Sequence, residues 1–154
     1  MPKYLTQKEA FMKCTKEGKF LVVEDVDTDK IKSTLNIAEA DIESADILKN
    51  IISDRSRQWN SVYKLYYDAL HELVESFLRY YKIKINNHQC LFAYLCEKHP
   101  ELEFDWDFFE NLRTKRNGIN YYGDAVNFKD WDNISVQYFL YVKKLREEID
   151  KKIK

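Results

Sequence analysis

Three glycines and two prolines are all that this chain of 154 residues offers for sharp turning, and that scarcity limits its fold more than any other feature. Sandwiches and barrels need many tight turns, whereas long helices need few breakers. The apolar spacing agrees. From Asp27 or Thr28, a first long helix carries Ile31, Leu35, Ala38, Ile42, Ala45 and Ile52 along one seam, with Leu48 beside it. After the polar break at residues 54–58, a second helix presents Trp59, Val62, Tyr66, Ala69, Leu73, Phe77 and Tyr80. A polar connector over 82–87 leads to a third helix, His88 to Lys98, which stops before Pro100. The fourth starts near Asp105, and the fifth, from Asp130 or Asn133, offers Ile134, Tyr138, Val142, Leu145 and Ile149. Short links between amphipathic helices predict an all-α, antiparallel up-and-down bundle of four to five main helices.

Ahead of the bundle, a short N-terminal helix is expected over 4–15. Thr6 and Glu9 have capping-box spacing, and Gly18 ends the helix. Phe20–Val23 reads as an extended tether lying against the body, because no partner strand is apparent. These features divide the chain into a leader, 1–26, and a bundle domain, 27–154, which together fit one core.

Composition removes several function classes. A net charge of -1 and a pI near 6.3 give no overall field to attract nucleic acid, so such a role would need a local basic patch. The longest apolar runs fall far short of the ~20 residues of a membrane span, which predicts no membrane association. Three cysteines, Cys14, Cys90 and Cys96, cannot complete a disulfide framework, and the start does not resemble a signal peptide. Free thiols in a reducing cytoplasm are therefore expected.

His88, Cys90, Cys96 and His99 are ligand types for zinc. On one helix, however, their eleven-residue span is roughly 16 Å, too far for one tetrahedral ion. Buried thiols and helix-end histidines are the expected reading, with no metal and no cofactor. His71 has Glu75 four residues later and Asp68 and Glu72 nearby, as in a His–carboxylate base. Helix geometry alone produces that pairing. Acid pairs such as Glu39/Glu43 and Asp105/Asp107 read as solvated faces or helix-start charges. The chain has no phosphate-binding glycine loop, nucleophile elbow or zinc-protease His pair.

One polar segment stands apart, Leu112-Arg-Thr-Lys-Arg-Asn-Gly-Ile-Asn-Tyr-Tyr-Gly-Asp124. In a helix, Arg113, Arg116, Asn117, Asn120 and Asp124 recur at three- and four-residue intervals and share a face. Guanidiniums and amides beside a phenol suit a phosphate or RNA backbone. They suit a polar seam between helices equally, with Asp124 paired to Asn120 or Arg116. On the residues alone both readings stand open. Tyr121 is a poor general base at neutral pH.

Several motifs, in order, resemble those of HEPN domains. They are the leader Cys14-Thr-Lys-Glu-Gly-Lys-Phe-Leu21, Trp59 before the Tyr-rich helix Ser61–Ser76, Asn87-His88 opening the next helix, and Leu112-Arg-x-x-Arg116-Asn117-x-x-x-Tyr121. The resemblance covers almost the whole chain and implies a helical homodimer with the polar motif near its cleft. It also implies, for some members, a minimal nucleotidyltransferase partner. Many members are metal-independent ribonucleases, toxins among them, that use an Arg and a His four to six residues beyond it. Arg116 matches the Arg and Asn117 the polar residue after it. The His positions fall on Tyr121, Tyr122 or Gly123, and no histidine follows His99. The resemblance thus implies a noncatalytic nucleotide- or RNA-binding domain using Arg113, Arg116, Asn117, Asn120 and Tyr121. The alternatives are a ribonuclease in which Arg116 and Tyr121 are catalytic, and a purely structural dimerisation module.

Overall fold

The computed structural model describes residues 5–153 as a helical bundle. Its helices are α1 (Gln7–Lys16), α2 (Thr28–Ile51), α3 (Trp59–Arg79), α4 (His88–Lys98), α5 (Trp106–Tyr122) and α6 (Phe128–Ile153), with a 3-10 turn at Pro100–Leu102. Local chemistry explains most of the starts. Thr6 and Glu9 close a reciprocal capping box on α1, and Asp27, Asn87 and Asp105 accept backbone N–H bonds at the heads of α2, α4 and α5. The expected α1 extended back to Tyr4, which lies outside the described residues. At α6, Asn127 and Asp130 exchange side-chain-to-backbone bonds, each at 3.0 Å. That exchange starts the helix earlier than Asp130 or Asn133.

α3 occupies the centre because it is apolar nearly all round. Trp59, Tyr63, Tyr66, Tyr67, Leu70, Leu73, Val74 and Phe77 are all buried, so this helix meets a neighbour on most sides. α2 and α6 lie along it and are joined by Arg146, which donates to both oxygens of Glu39 at 2.7 and 2.6 Å. Between α3 and α6, Trp131 stacks on Tyr66 with ring centroids 4.1 Å apart, and the Tyr138 hydroxyl donates to the Tyr66 carbonyl at 2.5 Å. α4 and α5 cover a further side, where Phe92 stacks on Phe109.

Two expectations for the leader need correction. First, residues 20–23 are not merely a tether. Leu21–Val22 (β1) pairs antiparallel with Ile83–Lys84 (β2), with Leu21 opposite Lys84 and Val22 opposite Ile83. Lys82, at a φ of 62°, turns the chain sharply after α3 and converts the expected connector into that partner strand, with Ile83 and Ile85 buried. Second, Cys14 and Cys90 are not free thiols. They form a disulfide between α1 and α4, with Cα atoms 5.7 Å apart, whereas Cys96 is a free, buried cysteine. Phe11 of α1 and Tyr94 of α4 also meet, with Phe20 packed on both rings. No described helix is long and apolar enough to cross a membrane.

Candidate functional site

Within α5, Arg113, Arg116, Asn117 and Asn120 fall within about 100° of arc on one flank, but their exposure differs along it and Tyr121 stands apart. An α-helix advances about 100° per residue, so Tyr121 lies about 140° round from Arg116. Arg113 and Arg116 turn towards α3 and α4, whereas Tyr121 is 71% exposed and Asn120 also faces solvent. Asn117 is half-buried between them. The polar seam through Asp124 takes another form as well. The Asp124 N–H donates to the Gly118 carbonyl at 3.0 Å, and its carboxylate lies so close over Gly118 that a Cβ there would sit 2.7 Å from Oδ2.

The two arginines differ in how fully they are engaged. Arg113 donates from Nε and Nη2 to one oxygen of Glu110, at 3.1 and 2.7 Å. Glu110 is 1% exposed, and its other oxygen accepts from Gln89 Nε2 at 2.7 Å. Charge-assisted bonds of this kind fix both partners, so Arg113 braces α5 against the head of α4. Arg116 is held more loosely. Its guanidinium lies over the Tyr67 ring at 5.1 Å, and Nη2 reaches Asp68 at 3.4 Å. Its Nε is buried without a hydrogen-bond acceptor among the described residues.

Next to Arg116 is a pair of histidines that spacing along single helices does not reveal. His71 of α3 does not pair with Glu75, which bonds Arg79 instead. Its ring stacks on His88, the first residue of α4, with centroids 3.9 Å apart. His88 Nδ1 is 2.8 Å from the Tyr67 hydroxyl. Burial pushes His71 down to about 3, with His88 and Arg116 adding to the shift. It also lowers His88, helped by Arg116 and Arg113. Both rings are therefore neutral at physiological pH. The Tyr67 phenol is pushed up by burial and stays protonated, and it shares a hydrogen bond with His88 Nδ1 whose direction follows the His88 tautomer.

An acidic cluster borders these groups. Glu72 is pushed up to about 8 by burial and then by Asp41 and Asp68, and it shares a hydrogen bond with Asp41. Asp68 is raised by burial despite its Arg116 neighbour. His99, in contrast, lies past the far end of α4, packed on Phe77 and Tyr81 and 3.3 Å from Glu101. The His88–His99 span thus reaches from one end of α4 to the other. The chain matches no family model, no curated protein and no solved structure.

Proposed function

We propose that this chain is a noncatalytic RNA- or nucleotide-binding helical domain whose phosphate-recognising residue is Arg116. The observation that carries this reading is the incomplete engagement of that side chain. The guanidinium, backed by Tyr67, is held at its end only by one long contact from Nη2 to Asp68, while its Nε is buried and, among the described residues, unpartnered. Arg113 contributes field more than contact because Glu110 already holds it. Asn117, Asn120 and Tyr121 extend the surface outwards, Tyr121 as an exposed ring on which a base can stack. The motifs resembling HEPN domains support a homodimer, or assembly beside a minimal nucleotidyltransferase, as part of the same proposal. A cytoplasmic setting belongs to the same proposal, with the Cys14–Cys90 bond kept within the fold.

A second reading, metal-independent RNA cleavage, is favoured by the neutral His71–His88 pair beside Arg116. These rings suit acid–base roles better than Tyr121, which lies on another side of α5. Binding and cleavage of a mixed RNA pool in EDTA, compared with the Arg116→Ala variant, tests both readings. Binding that depends on Arg116, without cleavage, is the expected result. Cleavage that depends on Arg116 and His88 would establish the second. RNA affinity unchanged by Arg116→Ala would overturn the proposed role of that residue.

A further inference from the structure

The histidine pair is more than a neighbour of the arginine. We propose that Tyr67, His71, His88 and Arg116 form a proton-coupled site for a tetrahedral oxyanion of the phosphate or sulfate type. The proposal rests on the reading that Arg116 engages phosphate, and it adds how that engagement is gated.

The geometry provides three elements. The Arg116 guanidinium lies over the Tyr67 ring with its Nη2 end held only by a 3.4 Å contact to Asp68. Half-buried His88 sits at the head of α4, with Nδ1 engaged by Tyr67, so that once the ring is protonated Nε2–H is the donor left for a ligand. Behind it, His71 stacks at 3.9 Å, and among the described residues neither ring is hydrogen-bonded to a carboxylate.

Burial first, and then the surrounding charges, oppose protonation of either ring. From α5, Arg116 and Arg113 face the pair, and Glu110 is saturated by Arg113 and Gln89. From α3, Asp68 is turned to Arg116, and Glu72 is tied to Asp41 of α2. A proton added to His88 would therefore be a second cation close to Arg116, with no anion of its own. An entering oxyanion supplies that anion. It accepts from Arg116 and from the His88 Nε2–H, and its charge raises the affinity of the imidazole pair for a proton taken from solvent. By linkage, the anion then binds more tightly as the pH falls.

Sulfate is the appropriate probe because its own charge is constant over the working range. Its affinity for the whole protein would be measured by calorimetry from about pH 7.5 to about pH 5.5, with circular dichroism reporting that the fold persists. The expected result is tightening that approaches about tenfold per pH unit, the limit for one coupled proton. Repeating the titration in two buffers of different protonation enthalpy should show about one proton taken up. His88→Asn keeps a side-chain amide donor but cannot be protonated, so it should flatten the pH dependence. His71→Asn is the second variant. If that buried substitution prevents folding, the half-exposed His88 position still decides the matter. Sulfate affinity that is flat with pH, with no proton uptake, overturns the coupling even where RNA binding depends on Arg116. RNA binding indifferent to Arg116→Ala overturns the underlying reading instead, so the two failures are separate.

Discussion

Removing the Cys14–Cys90 crosslink should weaken the fold by an amount that chain length sets. The bond spans 76 residues of sequence, and closing a loop of that size withdraws about 4.5 kcal/mol of conformational entropy from the unfolded state at ~25 °C. Measured losses for native disulfides start near ~2 kcal/mol, so a loss of about 2 to 4.5 kcal/mol is expected. Urea denaturation of the oxidised protein can be compared with that of a Cys14→Ala/Cys90→Ala double variant. With a slope of ~2 to 3 kcal/mol/M, the midpoint should fall by about 1 to 2 M. Adding reductant to the unmodified protein should move it towards the same value. Thiol titration of the unfolded, unreduced chain provides the independent check: Cys96 alone should react. Three reactive thiols would refute the crosslink itself. One thiol with an unmoved midpoint would refute the entropic reasoning.

Three more outcomes follow from the site and its supports. Glu110→Ala should cost about 3 kcal/mol by chemical denaturation, because it leaves Arg113 and Gln89 without their shared acceptor at a position 1% exposed. Gly118→Ala alone should leave stability nearly unchanged, because displacing the exposed Asp124 carboxylate offsets the helical gain of Ala, whereas Gly118→Ala with Asp124→Ala should be more stable than Asp124→Ala by about 0.5–1 kcal/mol in a thermal melt. Two groups should shape the dependence of stability on pH. Glu72, raised to about 8 in the fold, holds a proton that the unfolded chain has already released, so stability falls as pH rises from about 4.5 to 8. His71, lowered to about 3, stays neutral where the unfolded chain takes up a proton, so stability also falls as pH drops below about 6.5. Denaturation series with Glu72→Gln and His71→Asn should each flatten one limb. An unchanged limb would contradict the assignment of that group.

Local features of the fold were legible in advance because their causes lie within a few residues. Thr6 and Glu9, Asp27 and Asp105 mark helix starts through bonds spanning two or three residues, and the aromatic seam of the central helix follows from period alone. Features made by distant pairs were not. A two-residue strand has no alternation to detect, so β1 and β2 become visible only once Lys82 has turned the chain. Spacing offers Glu75 as the neighbour of His71 on its own helix, whereas its partner His88 lies across the α3–α4 turn and by spacing groups with the cysteines beyond it. The Arg/Asn segment was read correctly as helical, but period could not say which flank would meet α3. That choice separates Arg116 from Tyr121 and alters what the site can do.

The docked leader has a consequence for how the molecule is made. α2 and α3 are neighbours in sequence and can form a helical hairpin early. The leader's anchors come much later: Leu21 waits for Lys84, Cys14 for Cys90, and the Leu5 carbonyl for the Trp106 indole 101 residues on. On a ribosome adding ~5–20 residues per second, residues 5–23 emerge ahead of these partners and have nowhere to dock for several seconds. During that interval Phe11 and Phe20 lack the Tyr94 ring that later joins them. The leader is thus made before the elements that close over it, and a nascent chain stalled before residue 90 would carry Cys14 as an open thiol.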